Sequence, residues 1–235
     1  MRSARFEVFA GELTPYIGVM SAMLKMFCAV LALSLAPRTV SAEGERAGEF
    51  DYYVLSLSWT PSWCELTGDA RRDPQCDEGR GFGFTLHGLW PQFERGWPSY
   101  CRTTAQDPSR AETAAMANIM GGAGLAWHEW QKHGRCSGLS SAEYFAAARA
   151  AYEAVNRPEV LRQLPETMDI PPRVIEAAFL EVNPGLWPDA LTVTCKAGMV
   201  QEIRICLTRD LEPRRCSADV ARDCSARAVE MSPMR

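Results

Sequence analysis

Between Tyr52 and Trp59 the chain alternates, with Tyr53, Leu55, Leu57 and Trp59 on one side and Val54, Ser56 and Ser58 on the other. A period of two predicts a strand. The alternation returns over Phe82 to Leu89, where Phe82, Phe84 and Leu86 face one way and Thr85 and His87 the other. Pro91, which has no backbone N–H to give, is expected to end that strand. Residues 64–81 are polar, rich in Asp, Arg and Gly, and read as a loop between two cysteines. Further on the period lengthens. Ser109-Arg110-Ala111-Glu112 is a capping box opening a helix closed by Gly121-Gly122. Ser140 with Glu143 opens a second helix through Tyr144, Phe145, Ala148, Tyr152 and Val155. Pro171-Pro172 predicts a third, carried by Val174, Ile175, Ala178 and Phe179 and stopped at Asn183-Pro184-Gly185. Leu191–Cys195 and Met199–Leu207 form an expected hairpin across Lys196-Ala197-Gly198, with Ile203, Ile205 and Leu207 on one face. There is no internal repeat and no low-complexity linker. Strands separated by helical stretches predict an α+β fold, a central and mostly antiparallel sheet flanked by helices.

The N-terminal stretch has a different character. Met26 to Ala36 is an apolar run preceded by Lys25 and followed by Val40-Ser41-Ala42, the order of a basic flank, a short apolar core and a small-residue cleavage site. The run is shorter than the roughly 20 apolar residues that span a bilayer. Residues 1–42 are therefore expected to be a leader with a secretory signal, removed after Ala42, with Met20 and Met23 as alternative translation starts. Residues 43–235 are expected to form one domain, periplasmic or secreted, monomeric and without stable membrane association. Without the leader 21 basic side chains face 27 acidic ones, a net charge of −6. A site for a polyanion must then be locally basic. Cys28 leaves with the leader, and the eight remaining cysteines of an exported chain predict four disulfides. Spacing alone leaves 105 possible pairings open.

The chain has three histidines, all in two short aromatic-rich segments, Phe84-Thr85-Leu86-His87-Gly88-Leu89-Trp90-Pro91 and Trp127-His128-Glu129-Trp130-Gln131-Lys132-His133-Gly134-Arg135-Cys136. Histidine is the side chain that both takes and gives a proton near neutrality. At 100° per residue His128, Glu129, Lys132 and His133 share one sector of a helix, while Trp130 points elsewhere as a core anchor. Two imidazoles, a carboxylate and an ammonium are costly to bury unpaired, so they should line a cleft. Zinc is disfavoured, because the histidines are five apart rather than four and Lys132 would repel a dication. There is no G-x-S-x-G elbow. Proton shuttles and a cation without a protein nucleophile suit a substrate that supplies its own. Trp90 offers a flat aromatic face directly after the His87 turn, with Trp97 and Tyr100 as a second wall. Gln92 both donates and accepts hydrogen bonds.

These two segments resemble the two active-site signatures of the ribonuclease T2 family, over Phe84–Pro91 and His128–Cys136, with weaker likeness across nearly all of residues 43–235. Within the family the chain looks most like the bacterial periplasmic enzymes. The resemblance implies an α+β endoribonuclease that cleaves single-stranded RNA, not DNA, through a 2′,3′-cyclic phosphate, with no metal or other cofactor. It implies His133 as general base, His87 as general acid, His128 on the phosphate, and Lys132 and Glu129 on the charged transition state. It also implies the disulfides Cys64–Cys76, Cys101–Cys136, Cys195–Cys224 and Cys206–Cys216. For such a substrate Trp90 is expected to take an unstacked base, with Trp97 and Tyr100 as the second wall. Two departures bear on base preference: Leu125-Ala126 stand where an aromatic pair is usual, and Gln92 stands where Asp is usual, which predicts weak discrimination among bases.

Overall fold

The structure is a computed structural model and describes residues 45–235; the expected leader lies outside the described residues. The chain enters through β1 (Tyr52–Trp59) and bends into α1 (Thr60–Trp63), a π-helical turn (Cys64–Gly68) and α2 (Asp69–Arg71). It returns as β2 (Phe84–Gln92) and then runs through α3 (Arg110–Ala115), α4 (Ala117–Met120), α5 (Ala123–Lys132), α6 (Ser141–Ala154) and α7 (Glu159–Arg162). The remainder is β3 (Met168–Ile170), α8 (Pro172–Val182), β4 (Leu191–Lys196), β5 (Met199–Leu207) and β6 (Val229–Met231). The strands form one sheet in the order β2-β1-β5-β6-β3, with β4 also on β5. All pairings are antiparallel except β5 with β6, so the fold is α+β with a mostly antiparallel sheet.

The two capping boxes sit where the sequence puts them, at Ser109 with Glu112 and Ser140 with Glu143. The hairpin closes through Ala197 and Gly198, both at positive φ, the conformation that matches the right-handed twist of the flanking strands. One sheet face packs Leu55, Leu57 and Trp59 of β1 with Phe84 and Leu86 of β2 and with Trp130, Tyr144, Ile175 and Phe179 of the helices. Trp130 keeps its polar edge satisfied, Nε1 donating to Asp107 at 2.8 Å. The opposite face carries a small cluster of Tyr52, Val54, Cys206, Cys216 and Val220, with Trp90 against it.

Two expectations are corrected. Residues 64–81 are not a loop throughout: helical turns run to Arg71 and a 3-10 turn covers Pro74–Cys76. Pro61 sits in the first turn of α1 and fixes φ for a helix start, which the polar composition downstream concealed. Pro91 does not end β2, for the strand reaches Gln92 and pairs Pro91 with Tyr53. β2 is an edge strand, where a missing N–H leaves no ladder bond broken. Phe82 lies just before β2 and is only half-buried.

Disulfides join Cys64 to Cys76, Cys101 to Cys136, Cys195 to Cys224 and Cys206 to Cys216. The second ties the segment after β2 to the end of α5 and is reinforced by the Tyr100 N–H, which donates to the Lys132 carbonyl at 2.9 Å.

Candidate active site

The β1–β2 register slips once: Ser56 pairs with Gly88 and Leu57 with Leu86, which leaves His87 as the extra residue of a bulge. A bulge re-aims its side chain and changes which parity points inward. Phe84 and Leu86 face the main core before it, and Leu89 does so after it. His87 and Trp90 are left on the other face, where they line a cleft of about 310 Å³ together with His128, Glu129, Lys132 and His133 from α5 and its C-cap. Both motifs thus meet in one place.

The histidines differ sharply in surroundings. His133 is buried, with Nδ1 enclosed and without a hydrogen-bond partner. Burial first, then the charges of Lys132, His87 and His128, push its pKa down to about 3, so the ring is neutral near pH 7. His87, with its side chain 33% exposed, goes the other way. Burial alone would lower its pKa, but the hydrogen bond to Glu202 and the charges of Glu202 and Glu129 outweigh that and raise it. His128 is exposed, and burial of part of its ring, Lys132 and His87 lower its pKa. Glu129 is buried, its pKa raised by burial against the opposing pull of His87, and Oε1 lies 3.7 Å from His87 Nε2. Lys132 makes no ion pair with a described residue, so its ammonium is available to an anion.

Trp90 donates from Nε1 to Glu129 Oε2 at 2.7 Å, stacks on His133 with centroids 5.3 Å apart, and meets His87 edge-on at 5.1 Å. The Arg204 guanidinium lies over the same indole at 5.4 Å. Trp90 is therefore the packing centre of the site rather than the open platform expected from sequence. Trp97, 56% exposed, does line the cleft and offers a free ring. Tyr100, 55% exposed, is not part of the lining, so the expected second wall is Trp97 alone. Gln92 lines the cleft, and its side-chain amide has no hydrogen-bond partner among the described residues.

The C-terminal half adds residues that sequence reasoning missed: Gln201, Glu202 and Arg204 of β5, and Asp219 with Val220. Asp219 Oδ2 accepts from the Gly96 N–H at 2.6 Å and so braces the loop that carries Trp97. A signal for Glu202 and Arg204 existed. They alternate with Ile203 and Ile205, two charges on the second face of an internal strand. A second cleft, of about 230 Å³, lies on the far side of His87 between β2, α1 and the start of α5, and shares His87, Gln201 and Glu202 with the first.

A bulged strand crossing the end of a helix, with three histidines, a glutamate and a lysine in one cleft, defines an acid–base site on a disulfide-stapled α+β frame. A profile of the Ribonuclease T2 family matches residues 50–216, and the chain belongs to that family. It is 44% identical over 128 residues to a protein named ribonuclease from Aeromonas hydrophila, a match covering 53% of this chain and 56% of that one. The match thus spans about half of that relative's length. Ribonuclease I of Escherichia coli strain K12 is 28% identical over 230 residues, covering 77% of this chain and 85% of the relative. Among solved structures, RNase NT in complex with 5′-AMP superposes with a TM-score of 0.60 at 22% identity, covering 79% of this chain and all of that one.

Proposed function

We propose that this chain is an endoribonuclease that cleaves single-stranded RNA by transesterification, needs no metal ion or other cofactor, and reads base identity weakly. The observation that supports this reading is the placement of His87 and His133 in one cleft with opposite perturbations, the His87 pKa raised by Glu202 and Glu129 and the His133 ring held neutral by burial, with the ammonium of Lys132 lining the same cleft. Neutral His133 takes the proton of the ribose 2′-hydroxyl. Its Nδ1 is enclosed, so the exchange falls to Nε2. The 2′-oxygen bonds to phosphorus, the P–O5′ bond breaks, and the proton on His87 Nε2 passes to O5′. A 2′,3′-cyclic phosphate and a free 5′-hydroxyl result. Each positioned transfer is worth roughly 10²–10⁴ in rate.

His128 binds the phosphate and orients the sugar. Lys132 and Glu129 answer the charge that builds on the phosphoryl oxygens and at the sugar, the lysine as a point charge. DNA lacks the nucleophile and is not cut. The two clefts that meet at His87 suit one nucleoside on each side of the scissile phosphate. Residues 43–235 act as the mature domain, in the periplasm or outside the cell, where four disulfides persist. The enzyme is a monomer with no stable membrane association; among the described residues no helix is long and apolar enough to cross a bilayer.

The test is a digest of single-stranded RNA and DNA with and without a chelator, with products read by phosphorus NMR. A transient cyclic phosphate from RNA alone, indifferent to chelator, is the expected result. Intact RNA, or cleavage abolished by the chelator, would overturn the proposal.

A further inference from the structure

We infer that Glu202 is a positioning residue for this reaction, its carboxylate fixing the His87 imidazole so that Nδ1 carries a bound proton and Nε2 is the nitrogen that meets substrate. The inference rests on the function proposed above and adds a residue outside both motifs, 115 positions from its partner. His87 sits on a bulge, where ladder pairing does not fix the side chain. Glu202 does so instead: His87 Nδ1 donates to Glu202 Oε1 at 2.6 Å. A carboxylate can only accept, so the proton on Nδ1 is defined.

Glu202 is itself held. It stands on the internal strand β5, paired with Ser58 of β1, with a side chain only 2% exposed. A buried carboxylate at that place is costly unless every oxygen is partnered. Oε1 takes His87, and Oε2 takes Arg204 Nε at 2.9 Å and Nη2 at 2.7 Å. Arg204 in turn rests on Trp90. The chain Arg204–Glu202–His87 is thus continuous from the central strand to the cleft, the arrangement by which a carboxylate sets the tautomer and basicity of a working histidine. The other charged or titratable groups that share the two clefts with His87 are His128, Glu129, Lys132 and His133 from α5 and its cap, Arg204 from β5, Asp219, and Asp73 and Lys196 around the second cleft. Apart from Glu202, the carboxylate whose charge acts on His87 is Glu129, and it lies on the Nε2 side.

The test is Glu202→Gln, with the His87 ring titrated by proton NMR and kcat/KM for a dinucleoside phosphate followed against pH. The amide keeps the shape and removes the charge. The His87 midpoint is expected to fall by at least about one pH unit, and the basic limb of the rate profile to move down with it. At a pH above both midpoints the variant is then about tenfold slower or more, through kcat rather than KM, while well below them it approaches wild type. Glu202→Asp, which restores the charge at shorter reach, should recover part of both shifts, and it serves as the test should the glutamine variant not fold. A folded variant whose His87 midpoint and basic limb stay where they are in the wild type overturns the inference, since a merely structural glutamate would leave both unmoved. A wild-type chain that leaves RNA intact overturns the proposed function instead, and that result needs no variant.

Discussion

Trp90 Nε1 and Glu129 Oε2 lie 2.7 Å apart, and this one hydrogen bond joins the two histidine motifs. It passes directly over Gly88: a Cβ at that position would fall on both the Glu129 carboxylate and the Trp90 indole nitrogen. The glycine between His87 and Trp90 is therefore a matter of space. β2 must come close enough to α5 for a strand tryptophan to hold a helix glutamate, and only a residue without a side chain lets it.

Gly88→Ala should accordingly break the Trp90–Glu129 bond or push β2 off α5. Overpacking of this kind costs typically about 1–3 kcal/mol, and RNA cleavage should fall by at least about tenfold, since the groups displaced are those of the site. Denaturant unfolding and initial rates on RNA measure the two effects. Wild-type stability together with wild-type rate would show that Glu129 has another resting place.

Removal of either proposed proton shuttle should be severe. His87→Ala and His133→Ala are each expected to reduce RNA cleavage by at least about 10² while leaving a folded chain. Circular dichroism checks the fold and a single-substrate assay the rate. A folded His133→Ala protein with near wild-type activity would overturn its role as base.

The buried state of His133 also predicts how stability depends on pH. Its folded pKa is held down to about 3, whereas in the unfolded chain it returns to about 6.5. Between those values the unfolded chain binds a proton that the folded chain refuses, so stability falls as pH falls, by up to about 1.4 kcal/mol per unit. His87, with its raised folded value, has the opposite sign: its contribution is complete below about pH 6.5 and is lost as pH rises through the folded midpoint. Glu202 stays below the usual carboxylate range although burial pushes it up, because His87 and Arg204 prevail, and it too weakens the fold in acid. The difference between wild type and His133→Gln isolates the histidine. Between about pH 6 and pH 4 the variant should lose less stability per unit; equal slopes would mean that His133 is not held neutral.

Much of this arrangement is legible in the sequence, for identifiable reasons. The alternation of Tyr53, Leu55, Leu57 and Trp59 matches the core face of β1, and the helical angles of His128, Glu129, Lys132 and His133 match the wall they form. Side chains repeated at a fixed period announce themselves. The bulge at His87 does not, because one inserted residue changes the parity without leaving a gap in the pattern. The contacts of Trp90 are hidden for a related cause: it lines the cleft, but its neighbours in space, His133 and Arg204, do not show in its place beside a motif. Glu202 and Asp219 come from far along the chain, and their meeting with His87 and Gly96 depends on strand order, which spacing does not reveal.

The Cys101–Cys136 bond closes a separation of 35 residues and lies in the turn just beyond α5. A disulfide of this kind typically contributes about 2–4 kcal/mol. Replacing both cysteines by serine should lower stability by that order and should also lower activity, because the segment it holds begins at Tyr100, whose N–H caps the Lys132 carbonyl. Thermal unfolding and RNA cleavage of the double variant test the point. Full activity with reduced stability would confine the bond to a structural role.

Base selection should fall on the open side of the cleft. Trp90 is already committed to His133, Arg204 and Glu129, so an unstacked base must lie against Trp97, whose ring is 56% exposed and whose loop is pinned by Asp219. Stacking on an aromatic is worth about 1–3 kcal/mol and accepts any base. Trp97→Ala is therefore expected to lower kcat/KM by about tenfold for every base, with the preference among bases nearly unchanged. The amide of Gln92, which lines the same cleft, both donates and accepts and so suits either pattern. Preferences should then stay within roughly tenfold, about 1.4 kcal/mol. Initial rates on the sixteen dinucleoside phosphates, for wild type and for Trp97→Ala, decide both halves. A thousandfold preference in the wild type would mean that a fixed group reads the base edge, and Asp219, which lines the cleft and accepts from Gly96 in the loop that carries Trp97, would be the first residue to replace.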